Sequence, residues 1–497
     1  DIHALHRDGI EVPWRQVHDT MIALRLSQPN MQAGLKPASD RLIGPGASGS
    51  QQDLHEAFRK NDWDWDSVPI DFPTYIFYAG MDVVLTSRLF EHPTVQRGIT
   101  SPVYELEMQV RAVANLMERN GMRIDRDYSV RMSHRLRAEA DALRTEVSDE
   151  YGFSPGSTSI LGRWFLENAP GLLKKTTDSG APSTDKEALE YIESFGDERA
   201  SRLARKVLRV RRTEKLASSY FDNFVTLSDA SDILHADIET LAARTGRMSI
   251  RKPGLQTLPR VSSDPETRVV RNAVIPREEG HVLLSADYSQ IELRLAASLS
   301  DDVAMMQAFR DSDDFFTTLM REIYRDPTAQ RSDPRRATTK TAMYALTYGA
   351  GPAKIALSAG VPVEQVKELL TGLSTAYPEY SVLGRRYERE ARDNDGWVTN
   401  PYGRRIYVDE GKEYAATNAV IQSAAADIMK QAIVRLGHAG LDNMMVIPIH
   451  DEILVSCPAE DADEVQHLVV EMMCDSTFPL DFTAESGDPG MTWSDCK

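Results

Sequence analysis

The sequence predicts an α+β multidomain chain, and three observations carry that expectation. Its 497 residues suffice for two or three domains with sizeable cores. Two apolar, β-branched regions read as strands: His281-Val-Leu-Leu-Ser-Ala-Asp287, and a tight hairpin within Met444-Met-Val-Ile-Pro-Ile-His-Asp-Glu-Ile-Leu-Val-Ser456. Residues 99–235, and the block between the two strand regions, carry helical patterning.

In chain order, the first hundred residues look unlike the rest. Residues 28–50 are rich in Pro, Gly, Ser and Ala, and Asp62-Trp-Asp-Trp-Asp66 breaks any regular pattern. Composition shifts around His92-Pro93, and a long amphipathic helical pattern starts near Glu105. Helix then dominates to about residue 235, interrupted at Gly152-Phe-Ser-Pro-Gly156 and Ser179-Gly-Ala-Pro-Ser183. The run 281–287 ends in a carboxylate before a helix expected from Ser289. No internal repeat or long low-complexity tract is present.

The hairpin sets His450, Asp451 and Glu452 together at its tip. With Asp287 at the end of a distant strand, two strand-end aspartates offer the oxygen ligands a divalent cation needs, since Mg²⁺ is usually held by one or two carboxylates plus substrate phosphates. Acidic turns are common, so the hairpin alone is an even choice between structure and chemistry. Between the strands, Arg336, Lys340, Tyr344 and Tyr348 recur every four residues. On a helix that spacing drifts about 40° per step over about 18 Å, forming one slanting stripe. Cations at one pole and aromatics at the other match a nucleoside triphosphate. Gly349 and Gly351 are expected to end the helix in left-handed backbone.

Composition excludes little. Hydrophobic content of 41% and charged content of 27% are ordinary for a globular protein. No apolar stretch approaches membrane-spanning length. Cys457, Cys474 and Cys496 lack zinc or CxxC spacing, and a reducing cytoplasmic interior is the expectation. The net charge of −18 opposes nucleic-acid binding as a sum, but such a footprint is local. Arg202-Leu-Ala-Arg-Lys-Val-Leu-Arg-Val-Arg-Arg212 concentrates cations suited to phosphates, or forms a solvated helix face.

Asp287-Tyr-Ser-Gln-Ile-Glu-Leu-Arg294, the 336–349 stripe and His450-Asp-Glu452 resemble, in order, the three polymerase motifs of family A DNA polymerases. Thr245-Gly-Arg-Met-Ser249 with Gln256 and Arg260, Thr399 with Gly403-Arg-Arg405, Asn418 with Gln422, and Trp493 are similar to further segments of that family. The resemblance implies a right-hand polymerase of palm, fingers and thumb, preceded by a truncated ribonuclease H-like 3′–5′ exonuclease domain. The implied boundaries are 1–98 for the partial exonuclease and 99–497 for the polymerase. Within the latter, the thumb covers about 99–235, the palm about 236–300 and 409–497, and the fingers about 301–408.

The implied activity is template-directed addition of deoxynucleotides to a primer 3′ end, in replication or repair. Asp287 and Asp451 would bridge two Mg²⁺ ions about 3.5–4 Å apart, with Mn²⁺ able to substitute and Glu452 auxiliary. Arg336 and Lys340 would hold the β- and γ-phosphates, and Lys340 could protonate the departing pyrophosphate. Gln290 and Tyr344 would contact the nucleotide. Tyr348 would pair with Glu292, the family's gate against a ribose 2′-hydroxyl. Arg247, Gln256, Arg260, Asn418, Gln422 and His450 would follow the primer–template, while Arg211 and Lys215, with Ser183-Thr184, would grip the duplex backbone. Partners would be primer–template DNA and dNTPs, with the enzyme a monomer and any processivity factor unnamed.

Departures are informative. Phe316 falls where many members have a phosphate-contacting His, Tyr414 where an Arg often meets the primer, and Tyr344 where Phe is commoner, as in some phage enzymes. Near the start, Asp1, Asp19-Thr-Met21 and Tyr78-xxx-Asp82 resemble exonuclease motifs, but the first acidic motif is missing, so a cut inside that domain is expected. A single-subunit phage RNA polymerase would share the palm and the Arg/Lys-to-Tyr-Gly helix, but Glu292 and the His-Asp-Glu triplet favour the DNA enzyme. A non-catalytic DNA-binding remnant would not need both metal aspartates.

Overall fold

Strands from two distant stretches of chain meet in one four-stranded antiparallel sheet. His281–Tyr288 lies between Ala484–Ser486 and Glu452–Pro458, and Met445–Ile449 completes the edge. This is a computed structural model, and it describes residues 2–173, 175–177, 180–258, 267–311 and 314–496. Both sheet faces are covered. Leu284, Ala286 and Tyr288 point into one core with Ile453 and Val455, while Leu283 joins Ile447, Ile449, Leu454 and Trp493 in another. Double-sided burial is why these runs read as continuously apolar rather than alternating.

The helix Ala416–His438 packs against Tyr104–Asn120. It is buried almost all round, as its uniformly apolar and small-residue sequence requires. Within that packing sits a buried ion cluster. Arg404, in the turn between strands Trp397–Thr399 and Arg405–Tyr407, donates to Asp427 and Glu107. Lys430 Nζ donates to Glu107 at 2.5 Å, and Asn400 Nδ2 to Asp427 at 2.6 Å. All four charged side chains are 0–2% exposed, and such charges are tolerated inside only when paired. Burial pushes the Lys430 ammonium down to about 8, against the opposing pull of Glu107.

The described residues of 99–235 are mainly helical, with loops around 152–157 and 169–185 and the short strands Met122–Ile124 and Ile233–Leu234. Asp125 caps Arg126–Tyr151 by accepting from Tyr128 N at 2.8 Å, and Gly152 ends it at φ +80°. The basic stretch on Glu198–Leu216 is laced with ion pairs. Arg202 pairs with Glu150 and Glu198, Arg205 with Glu193, Lys206 with Glu146 and Glu150, and Arg209 with Glu139. In a strongly acidic chain these four cations find carboxylates on their own and neighbouring helices.

Residues 301–408 are mainly helical; Pro334, Pro352 and Pro378 each open a helix, where a missing N–H costs nothing. The described residues of 2–98 are also helices and turns, with no strand among them, unlike a ribonuclease H-like sheet. Asp1 lies outside the described residues. Asp19 caps Thr20–Ser27 through Met21 N and Ile22 N. Tyr78 and Asp82 share one face of Pro73–Glu91, where Lys36 pairs with Asp82 and lies 4.5 Å from the Tyr78 ring centroid.

Candidate active site

Register decides where the carboxylates go. Asp287 stands directly opposite Glu452 in the ladder, so Asp451, one residue earlier in the hairpin turn, lies beside the end of the 281–288 strand. Tyr288 N donates to the Asp451 carbonyl at 3.1 Å and fixes that proximity. His450 holds the turn in left-handed backbone, φ +58°, a position glycine usually fills. Its N–H donates to Gln256 Oε1 at 3.3 Å. The turn is thus strained locally and tied to the 255–257 segment.

Glu452 does not sit at the tip. It is the first residue of its strand and is buried on the Trp493 side. Its carboxylate accepts from Ser285 Oγ and from Trp493 Nε1 at 2.7 Å, with Arg271 at 3.5 Å. Asp287 and Asp451 are each partly exposed.

Beside the aspartates opens a cleft of about 450 Å³ lined by Arg247, Gln256, Gln290, Glu292, Lys340, Tyr344, Tyr348, His450 and Asp451. Its floor is Met248, Ile291, Ala425, Ala426 and Met429. The helix after the first aspartate begins at Ile291 rather than Ser289, because Gln290 is left-handed at φ +53°. Glu292 is in its first turn, where the helix dipole favours a carboxylate. Arg247 and the Tyr348 hydroxyl both donate to Glu292. Burial, then the Glu292 charge, push the Tyr348 phenol well above its ordinary range, so it remains a donor.

The stripe forms as spaced: Pro334–Thr347 is helical and Tyr348 caps it. Gly349 follows at φ +73°, but Gly351 is not left-handed and instead opens the next helix. Arg336 makes a two-bond pair with Asp314, each bond 2.7 Å. That bond holds the Asp314 carboxyl down at about 2. Tyr344 lies between Phe316 and Tyr348, at ring separations of 6.0 and 6.5 Å. Gly246, at φ +85°, rests on the buried guanidinium of Arg404, where a Cβ would come within 2.9 Å. Arg247, the next residue, is thereby set at a fixed height above the ion cluster.

Other expected site residues lie apart from the cleft lining. Asn418 and Gln422 are on Ala416–His438, one to two turns before Ala425 and Ala426. Arg211 donates to the carbonyl and hydroxyl of Thr184 and lines a separate cavity of about 630 Å³ with Ser183 and Arg144. Lys215 is exposed on the same helix as Arg211. Arg260 lies outside the described residues. Sequence reading missed Asp314 and the partners of Arg404 and Glu452. Only the Asp-Phe-Phe run and the terminal Trp hinted at any of them.

The family model for DNA polymerase family A matches residues 126–494. The chain belongs to DNA polymerase family A. The polymerase is 31% identical over 486 residues to the DNA polymerase of Mycobacterium phage D29, covering 95% of this chain and 78% of that relative. It is 29% identical to DNA polymerase I of Pseudomonas aeruginosa, over 81% of this chain and 45% of that protein. Its fold is similar to the POL domain of Pol1 from M. smegmatis, solved in complex with DNA primer-template and dNTP. That likeness has a TM-score of 0.80 and 23% identity, and covers 99% of this chain and 84% of that one. The chain is a DNA-directed DNA polymerase performing template-directed DNA synthesis. Among the described residues, no helix is long and apolar enough to cross a membrane.

Proposed function

We propose that the polymerase extends primers at the Asp287–Asp451 end of this cleft, supported by two Mg²⁺ ions, in replication or repair within a bacterial or phage-infected cytoplasm. The observation that supports the reading is the ladder register, which sets Asp287 opposite Glu452 with Asp451 the adjacent residue in the turn, while Asp451 lines the cleft with Lys340, Tyr344 and Glu292. Their carboxylates supply hard oxygen donors of the kind Mg²⁺ takes. Among the described residues no group of three or more His, Cys, Asp or Glu could hold a metal by itself, and substrate phosphates would complete the shell. Bound there, the ions would stabilise the attacking and leaving oxygens together.

The chain's own residues bind and orient. Arg336 and Lys340 take the triphosphate, and Lys340 is placed to give a proton to the leaving pyrophosphate. Tyr344 stacks at the sugar and base. Glu292, fixed from two sides by Arg247 and Tyr348, occupies the space a ribose 2′-hydroxyl needs. Gln256, Asn418, Gln422, His450 and Arg260 follow the primer–template through groups shared by every correct base pair. In this reading residues 99–235 are the thumb, 301–408 the fingers, and 236–300 with 409–497 the palm. Residues 1–98 are part of an exonuclease-like unit carrying Asp1, Tyr78 and Asp82. Primer extension with deoxynucleotides against ribonucleotides tests it. Strong preference for deoxynucleotides is expected, lost with Glu292→Ala; equal use of both by the parent would overturn the gate.

A further inference from the structure

Lys340 of the cleft lining and Arg336, one turn earlier on the same helix, both meet the segment that opens the helix Phe315–Tyr324. Asp314 precedes the helix Phe315–Tyr324, and its carbonyl accepts the N–H of Thr317 at 3.0 Å and of Thr318 at 3.2 Å. Its carboxylate accepts from the Thr317 hydroxyl as well as from Arg336. The backbone of Asp314 is therefore anchored, and its side chain has one preferred direction.

The Arg336 pair is side-on. Nε donates to Oδ2 and Nη2 to Oδ1, both at 2.7 Å. A guanidinium has five N–H donors in a rigid plane, and these two bonds occupy one edge. The edge formed by Nη1 and the second Nη2 hydrogen keeps the fork geometry that matches a phosphate. Phe316, buried at 3% exposure, closes the face, with Arg336 Cζ at 5.8 Å and Lys340 Nζ at 5.6 Å from its ring centroid. Both are within cation–π range.

We propose that Asp314 is a positioning residue for nucleotide binding. It grips one edge of Arg336 so that the other edge is presented to the triphosphate, while the ring of Phe316 aligns Arg336 with Lys340. The inference rests on the assignment of Arg336 to the triphosphate. A carboxylate near a phosphate site would repel an anion, but this one is faced by two guanidiniums, since Arg331 Nε also lies 3.9 Å from Asp314 Oδ2. Directional bonds made by a fixed fork are short-ranged and are lost when the fork turns.

The test is primer extension by the full chain on one primer–template, comparing Asp314→Asn, Arg336→Ala and the double variant. Arg336→Ala is expected to raise the dNTP KM at least tenfold. Asp314→Asn is expected to raise it about tenfold with kcat within threefold of the parent, and duplex affinity unchanged. Added to Arg336→Ala it should change nothing further, since the two residues act as one unit. A lower KM in Asp314→Asn would make the carboxylate a competitor and overturn the proposal. An unchanged KM, or the same rise in the Arg336→Ala background, would overturn it too while leaving Arg336 at the triphosphate. An unchanged KM in Arg336→Ala would remove the assignment on which both rest. Should Asp314→Asn melt below the assay temperature, Asp314→Glu serves instead. It keeps the charge and shifts the grip by one methylene, so a KM equal to the parent's would overturn the proposal.

Discussion

Glu452 accepts the indole N–H of Trp493 at 2.7 Å, with Arg271 Nη1 3.5 Å from its other oxygen and Arg271 Cζ 4.0 Å from the Trp493 ring centroid. The acidic residue beside Asp451 thus fastens the last turn of the chain to the sheet. We predict that Glu452→Gln costs about 1.5–3 kcal/mol of stability, because it removes the charge from the acceptor of the Ser285 and Trp493 hydrogen bonds. Trp493→Phe, which removes one hydrogen bond, should cost about 1–3 kcal/mol. Denaturant unfolding measures both. Unchanged stability with a hundredfold loss of kcat in Glu452→Gln would place its carboxylate at the reaction instead.

Asp287→Ala or Asp451→Ala should lower primer extension by at least about 10³-fold, the scale set by losing electrostatic stabilisation of the reacting oxygens. Duplex affinity should hold, since neither residue supports the helices of 99–235. Extension near the parental rate in either variant would remove the metal assignment.

Tyr348→Phe isolates the support of Glu292 from Glu292 itself. Removing a bond to a charged group costs about 1.5–3 kcal/mol, or roughly ten- to a hundredfold in a rate ratio. We expect discrimination against ribonucleotides to weaken within that range and to fall further in Glu292→Ala. Unaltered selectivity in Tyr348→Phe would mean that Arg247 alone fixes the gate.

Tyr344 faces the cleft between Phe316 and Tyr348. Its hydroxyl can replace the contact a dideoxynucleotide lacks, so Tyr344→Phe should raise discrimination against chain terminators by roughly one to two orders of magnitude. Competitive incorporation of dideoxy and deoxy forms of one base gives the ratio. Equal ratios in the two enzymes would show that Tyr344 does not face the sugar.

The Arg336 bond holds the Asp314 carboxyl at about 2 in place of its ordinary 3.8. A depressed carboxyl contributes stability that is full above the unfolded pKa and is lost as pH falls through the folded one. The advantage of the parent over Asp314→Asn should therefore be constant above about pH 4 and shrink toward pH 2. Denaturant midpoints of both proteins across pH 5 to 2 check this; a difference that does not change with pH would mean the pair contributes nothing.

The pattern that local spacing can carry was legible. Strand ends marked Asp287 and Asp451, and a four-residue period marked Arg336 to Tyr348, because each depends on neighbours in sequence. The facing direction of Glu452 was not legible, since it depends on Trp493, 41 residues away. The same holds for Arg404 and Glu107, 297 residues apart. The ion pairs at 202–212 were not legible either, since a run of cations says nothing about carboxylates brought up by another helix. Gly351 shows the converse limit, since glycine permits a left-handed turn without requiring one.

The Glu107–Lys430 bond spans 323 residues. At about 5–20 residues per second, a ribosome would take roughly 15–65 s to deliver the lysine after the glutamate. Until then Glu107 and the face of Tyr104–Asn120 around it must wait in water, because a lone buried carboxylate is not sustainable. The catalytic body therefore cannot close progressively behind the ribosome. Its central packing can be completed only once the helix Ala416–His438 has been made.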